Sequence, residues 1–220
     1  MSLYDKDKIV GCFESEEQWR DEADEIIAMQ MSYRSHALMM GKVVDTFFDV
    51  VERNHGAATV LDVGCGTAMF LDYVREQYGL HRVERYVGYE LVTRFGEKAA
   101  QKLEDYGVRG AIVGADFFDL GTTAAPADLV IASQCLNTVF SDDPLAFIAM
   151  AVDQLWSMTR HSLVFDLKDV AAPRILDPHL RTYYDPVYVY KVCRDHTVNV
   201  TVSQTTKANF TVVMSREELY

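Results

Sequence analysis

The chain has 220 residues, 49% of them apolar, and a formal net charge of −12. That length suits one α/β domain with a short extension, and the apolar content is enough to build a core. No apolar run reaches the roughly 18 residues of a membrane-crossing helix. The acidic balance repels phosphate backbones, so nucleic acid is not an expected partner.

Four cysteines, Cys12, Cys65, Cys135 and Cys193, are scattered without metal-ligand spacing, so no metal is expected and each reads as a core residue or a free thiol. The first eight residues lack a signal-peptide core, and a cytoplasmic location is the expectation. Ser15-Glu-Glu-Gln18 reads as a capping box opening a helix. A second helix is predicted from near Ser35, with Ala37, Met40, Val44, Phe47, Phe48 and Val51 recurring at three and four. Asn54-His-Gly56 ends it. Residues 1–56 are thus expected to form a helical extension, either a cap over a ligand site or sheet edge, or the interface of a homodimer.

Thr59 to Val63 is a short β-branched run that reads as a buried strand. A turn with Gly64 and Gly66 follows, then an amphipathic segment with Phe70, Leu71, Val74 and Tyr78 on one face. Strand, glycine turn and helix open a βαβ unit that can hold a nucleotide-like ligand. A dinucleotide fingerprint would need glycine at position 69, which is Met69. Asp62, two residues before the first glycine, would repel a pyrophosphate and suits a ligand with a cationic end.

Further on, Tyr86–Glu90 is predicted as a strand ending on an acid, and Thr93–Tyr106 as a helix with Phe95, Ala99, Leu103 and the Lys102 stem inward. Val108–Gly114 reads as a strand leading into Ala115-Asp-Phe-Phe118, and Ala127–Ala132 as a strand leading into Ser133-Gln-Cys-Leu-Asn137. Asp143-Pro144 is an N-cap with proline at the first helical position; its helix is expected to bury Leu145, Ile148, Val152, Leu155 and Trp156. His161–Leu167 is a fifth strand. Residues 169–184 read as irregular, Asp185-Pro186 as another helix start, and Thr197–Gln204 and Phe210–Met214 as an antiparallel hairpin. The alternation predicts a parallel sheet.

Val60-Leu-Asp-Val-Gly-Cys-Gly-Thr67 resembles motif I of the class I S-adenosylmethionine-dependent methyltransferases. The departure is Ala68, where many members carry a third glycine. The hairpin closing a mostly parallel sheet is similar to the same family, over roughly residues 57–216. The resemblance implies an α/β fold with a seven-stranded, mostly parallel sheet, helices on both faces and a C-terminal antiparallel strand, in a domain spanning residues 57–220. It also implies a role for each residue at a strand end. Asp62 would accept from the cofactor's amine, with Gly64, Cys65 and Gly66 lying against the ligand. Glu90, followed by Leu91, would bind the ribose hydroxyls. Asp116 would accept from the adenine amino group, with Phe117 over its face, and Ser133 and Gln134 would stand near the methionine end.

The acceptor side is less marked. Candidate bases are Tyr33 and His36 in the extension and Tyr183 and Tyr184 in the irregular stretch; none is assigned. Ser133-Gln-Cys-Leu136 departs from the Asn-Pro-Pro-Tyr-like motif of enzymes that methylate amino groups of bases or glutamine amides. With the acidic charge, this favours transfer to an oxygen or nitrogen of a small molecule. Met29, Met31, Met39 and Met40 would roof the pocket, and Asn137 would reach its substrate side. Two alternatives stand beside this reading: a non-catalytic cofactor- or partner-binding subunit, and a nicotinamide-dependent oxidoreductase.

Overall fold

The structure, a computed structural model, describes residues 5–7, 10–11, 33–54, 56–119, 125–137, 141–172 and 182–216, with side chains in the first helix from residue 37 on. The helix expected from Ser15 lies outside the described residues, as do Met29 and Met31. The first described helix, α1 (Tyr33–Arg53), places Met40, Val43, Val44, Phe47, Val50 and Val51 on one buried face. That face is spent on the sheet. It packs against the helix after the glycine turn and across the strands of the sheet centre, so it is not available to a second copy.

The elements that follow are β1 (Ala58–Val63), α2 (Met69–Gln77), β2 (Val83–Tyr89), α3 (Thr93–Tyr106), β3 (Gly110–Val113), β4 (Ala127–Ala132), α4 (Pro144–Ser157), β5 (Thr159–Lys168), α5 (Pro186–Arg194), β6 (Asn199–Gln204) and β7 (Asn209–Ser215). They form one seven-stranded sheet in the order β3-β2-β1-β4-β5-β7-β6. β1 to β5 pair in parallel, and β7 runs antiparallel between β5 and β6. Strand residues alternate between two cores. Val60, Leu129, Ile131, Val164 and Val213 face α1, α2 and α3. Leu61, Val130, Leu163, Phe165 and Val212 face α4 and α5.

Local chemistry explains most boundaries. The Asp143 carboxylate accepts from Ala146 N at 3.0 Å and starts α4; Asp185 does the same for α5 through Val187 N at 2.8 Å. The turn from β6 to β7 is tied by Thr206 Oγ1, which accepts from the backbone N–H groups of Ala208 and Asn209. Three expectations are corrected. Leu145, in the first turn of α4, is 47% exposed rather than buried, because Phe147 and Ile148 take the core positions. Tyr78 lies past the end of α2, exposed, with its ring against Phe48. The third strand is shorter than expected, because Val108 N still donates to Leu103 O and closes α3. It starts at Gly110, where a Cβ would stand 1.8 Å from Tyr86 O.

Candidate active site

The strand order reverses between β1 and β4, so the loops leaving them diverge and open a crevice at the carboxyl ends of the strands. The glycine turn after β1 forms one wall. Its backbone is left-handed at Gly64 (φ 67°), Gly66 (φ 55°) and Ala68 (φ 56°). A Cβ on Gly64 would stand 2.3 Å from Cys135 Cβ, so that position needs glycine for space as well as for conformation. The end of β2 suspends the turn: Gly64 N and Cys65 N both donate to Tyr89 O, at 2.8 and 3.0 Å. The Glu90 carboxylate fastens it further, accepting from Gly66 N and from Val92 N, both at 2.8 Å. Glu90 is therefore aimed at the turn before any ligand arrives, with Leu91 half-buried beside it.

Asp62 is buried at the end of β1, and its Oδ2 accepts from the Tyr86 hydroxyl at 2.7 Å. Burial pushes its carboxyl up to about 7, against the pull of that hydrogen bond and with the repulsion of Glu90. A small cavity of about 40 Å³ lies between Asp62, the glycine turn, Met40, Met69 and Ser133. Thr67, in the same lining, is 1% exposed and its Oγ1 finds no partner. A buried hydroxyl without a partner costs free energy that a ligand can relieve. Cys65 is buried in the turn, and burial together with the Asp62 and Glu90 charges pushes its thiol well up, so it stays protonated. It fills space and is not a nucleophile.

The loop after β4 forms the other wall. Asp166, near the end of β5, is 1% exposed and ties this loop down. Its oxygens accept from Ser133 Oγ at 2.8 Å and from Gln134 N at 3.3 Å. Gln134 takes a left-handed φ of 60° under that restraint. Burial pushes the Asp166 carboxyl up to about 7. Met40 Sδ lies 3.8 Å from Ser133 Oγ, and Met39 Sδ 3.8 Å from Gln134 Nε2, so α1 meets the loop through two thioethers. Asn137 does not reach a substrate side. It is fully buried, its Nδ2 donating to Asp166 O and its Oδ1 accepting from Lys168 N.

The remaining expected residues are placed as follows. Asp116 is buried after β3, with Oδ1 accepting from Phe118 N at 2.9 Å and Oδ2 3.5 Å from Lys6 Nζ. Phe117 is 4% exposed and meets Tyr89 and Phe118 edge-on, so much of its ring serves the core. Tyr184 is buried, its hydroxyl donating to Leu136 O at 3.2 Å, and burial pushes that hydroxyl up. It is a strut under the loop after β4. The side chains of Tyr33 and His36 lie outside the described residues. The structure thus brings Asp62, Gly64, Cys65, Gly66 and Ser133 to one cavity, with Glu90 and Gln134 bonded into its walls. Sequence reasoning missed Tyr86, Thr67 and Asp166. The one available signal was an acid, Asp166, inside the apolar run of β5.

Residues 60–156 match the family model described as a methyltransferase domain. That match runs from β1 through α4, and the chain has the fold of the class I S-adenosylmethionine-dependent methyltransferases. The match and the fold together support an enzyme of methyl transfer that uses S-adenosylmethionine. Among solved structures, the magnesium protoporphyrin IX methyltransferase of Synechocystis PCC 6803 with bound S-adenosylmethionine is similar at a TM-score of 0.67 and 16% identity, over 98% of this chain and 99% of that one. The same protein with bound S-adenosylhomocysteine gives a TM-score of 0.68 at 16% identity, over 97% and 100%. A methyltransferase from Aquifex aeolicus gives 0.57 at 16% identity, over 89% and 99%. Identities this low carry the fold and not the substrate. No curated protein matches the sequence. The methyltransferase assignment leaves the nicotinamide alternative without support.

Proposed function

We propose that this methyltransferase transfers its methyl group to an oxygen or nitrogen of a small molecule. The observation that carries the reading is the Ser133–Asp166 pair, a hydroxyl at the cavity backed by a buried carboxylate. The net charge of −12 disfavours a nucleic-acid acceptor. Among the described residues no helix is long and apolar enough to cross a membrane. Cys65 and Cys193 are free thiols, which suits a reducing, cytoplasmic setting.

The residues present fit the cofactor. Asp62 takes its ammonium, the unpartnered Thr67 hydroxyl and the glycine-turn backbone face its methionine arm, and Glu90, held by two amides, takes the ribose hydroxyls. Asp116 takes the adenine amino group, and Phe117 borders the base through whatever edge the core leaves it. Bound there, the cofactor supplies a methyl carbon already activated by a sulfonium. The chain's own contribution is placement and proton removal. As the acceptor's oxygen or nitrogen bonds to the methyl carbon, its proton passes to Ser133 Oγ and the Ser133 proton passes to Asp166 Oδ2. Asp62, Glu90 and Asp116 would hold the cofactor, which would supply the methyl group and leave as the neutral thioether.

Calorimetric titration with S-adenosylmethionine, S-adenosylhomocysteine and NADH tests the site, with binding expected for the first two alone. Asp62→Ala and Glu90→Ala are each expected to weaken binding by about 1–3 kcal/mol, the value of a buried charged hydrogen bond. S-adenosylhomocysteine release is then followed across small phenols, alcohols and amines. In the active pairing, Asp166→Asn is expected to slow turnover by roughly a hundredfold while leaving S-adenosylhomocysteine affinity within twofold. An equal loss of both would remove Asp166 from the proton path.

A further inference from the structure

Tyr86 has no part in the reading above, yet among the described residues it is the one side chain hydrogen-bonded to the Asp62 carboxylate. It sits on β2 facing the α1–α3 core, 0% exposed, with its ring stacked near Phe70. Its hydroxyl donates to Asp62 Oδ2 at 2.7 Å. Asp62 also lines the cavity. A carboxylate has two oxygens and a rotatable bond, so one fixed oxygen fixes the direction of the other. We propose that Tyr86 is a positioning residue for cofactor capture: its hydroxyl occupies Oδ2 of Asp62 and commits Oδ1 to the ammonium of S-adenosylmethionine.

The neighbours of Asp62 leave this task to Tyr86. The groups that face it are Tyr86 from β2, Cys65 from the glycine turn, Glu90 after β2 and Cys135 after β4. α1 presents Met40, which carries no charge. Both thiols are pushed well up and stay neutral. Glu90 adds a like charge, and its carboxylate is engaged with Gly66 N and Val92 N. Among the described residues, Tyr86 is the one donor that favours the ionised carboxylate, against the desolvation that opposes it. A cationic ligand end needs that ionised form, so the hydroxyl serves both direction and charge.

The inference rests on Asp62 being the ammonium acceptor, and the test separates the two. S-adenosylhomocysteine affinity is measured from pH 5 to 10 for the wild type, Tyr86→Phe and Asp62→Asn. The wild-type profile is expected to be a bell, its acid limb set by Asp62 and its alkaline limb by the ligand's own amine. In Asp62→Asn the acid limb disappears; its survival would overturn the Asp62 assignment itself. In Tyr86→Phe the acid limb moves up by about one pH unit, so affinity near neutrality falls roughly tenfold while the alkaline limb stays in place. A purely structural role would lower the whole curve without moving the acid limb, and that outcome would overturn the proposal. Should the phenylalanine variant not fold, protein made with 3-fluorotyrosine keeps every ring and strengthens the donor. Its acid limb is then expected at lower pH, and an unmoved limb would be equally decisive against the proposal.

Discussion

At the amino-terminal rim of the sheet, Asp128 is surrounded by donors; at the carboxyl-terminal rim, Asp62 is not. Asp128 accepts from Thr59 N at 2.8 Å and Thr59 Oγ1 at 2.7 Å, with Arg160 Nη1 at 3.7 Å and His161 Nε2 at 4.0 Å. Asp62 is as deeply buried but has one neutral hydroxyl and the repulsion of Glu90. The same residue type, at opposite ends of adjacent strands, is satisfied by the fold in one place and, on the proposed reading, left to a ligand in the other. A buried acid without a cation is a cost the folded chain carries, and the proposed cofactor contact would relieve it. His161 lies at the amino-terminal rim, its Nε2 4.0 Å from Asp128 Oδ1, at the opposite end of the strands from the cavity.

The largest effect is expected where the binding rim is tightest. Gly64→Ala adds a Cβ at 2.3 Å from Cys135 Cβ on a backbone with φ 67°. Overpacking and left-handed strain together are worth about 3 kcal/mol, readable by denaturant unfolding, and the displaced turn should lose S-adenosylhomocysteine. Asp128→Ala comes next, at about 2 kcal/mol for a buried acceptor of two hydrogen bonds, with cofactor affinity within twofold. Asp62→Asn should do the reverse, weakening the cofactor at least tenfold with no loss of stability. If Asp62→Asn proved as destabilising as Asp128→Ala, the contrast between the rims would be wrong.

The pH dependence of stability follows from the same contrast. Asp62 and Asp166 are both raised from 3.8 to about 7, so between those values the folded chain binds protons that the unfolded chain has released. The stability this gives is fully present below about pH 4 and is lost as pH rises through about 7. Each carboxyl is expected to account for about 1 kcal/mol between pH 6 and 8, followed by thermal melting without ligand. Saturating S-adenosylhomocysteine should flatten the Asp62 share, since its ammonium favours the ionised form, and leave the Asp166 share.

The elements were legible because their signals are local. Thr93–Tyr106 and Ala127–Ala132 were bounded to the residue by periodicity and a β-branched run, and α4 and α5 by Asp-Pro caps. The strand-end acids were legible because a parallel sheet brings the ends of consecutive strands to one rim. Tyr86 was not, because its bond to Asp62 spans two strands and its position inside β2 reads only as core. Asp166 was hidden for the same reason: an acid within Leu163–Leu167 gains its meaning from Ser133, 33 residues away in sequence. Asn137 looked substrate-facing because sequence places it after a strand end, and only the return of β5 beside it turns the amide inward.

The smallest expected effect falls at Ala68, where this chain departs from the glycine many family members carry. Ala68 is left-handed (φ 56°, ψ 45°), fully buried, and stands at the start of α2. Left-handed backbone costs an alanine about 1–2 kcal/mol, which glycine would relieve. The same change removes a buried methyl worth about 0.8 kcal/mol and loosens the unfolded chain by about 0.5 kcal/mol. The three effects nearly cancel, so Ala68→Gly should shift unfolding stability by less than about 0.5 kcal/mol and leave S-adenosylhomocysteine binding in place. A gain above about 1 kcal/mol would mean that the methyl is poorly packed. A loss of that size would mean that position 68 is not left-handed in solution, and that the turn holds its ligand by Gly64 and Gly66 alone.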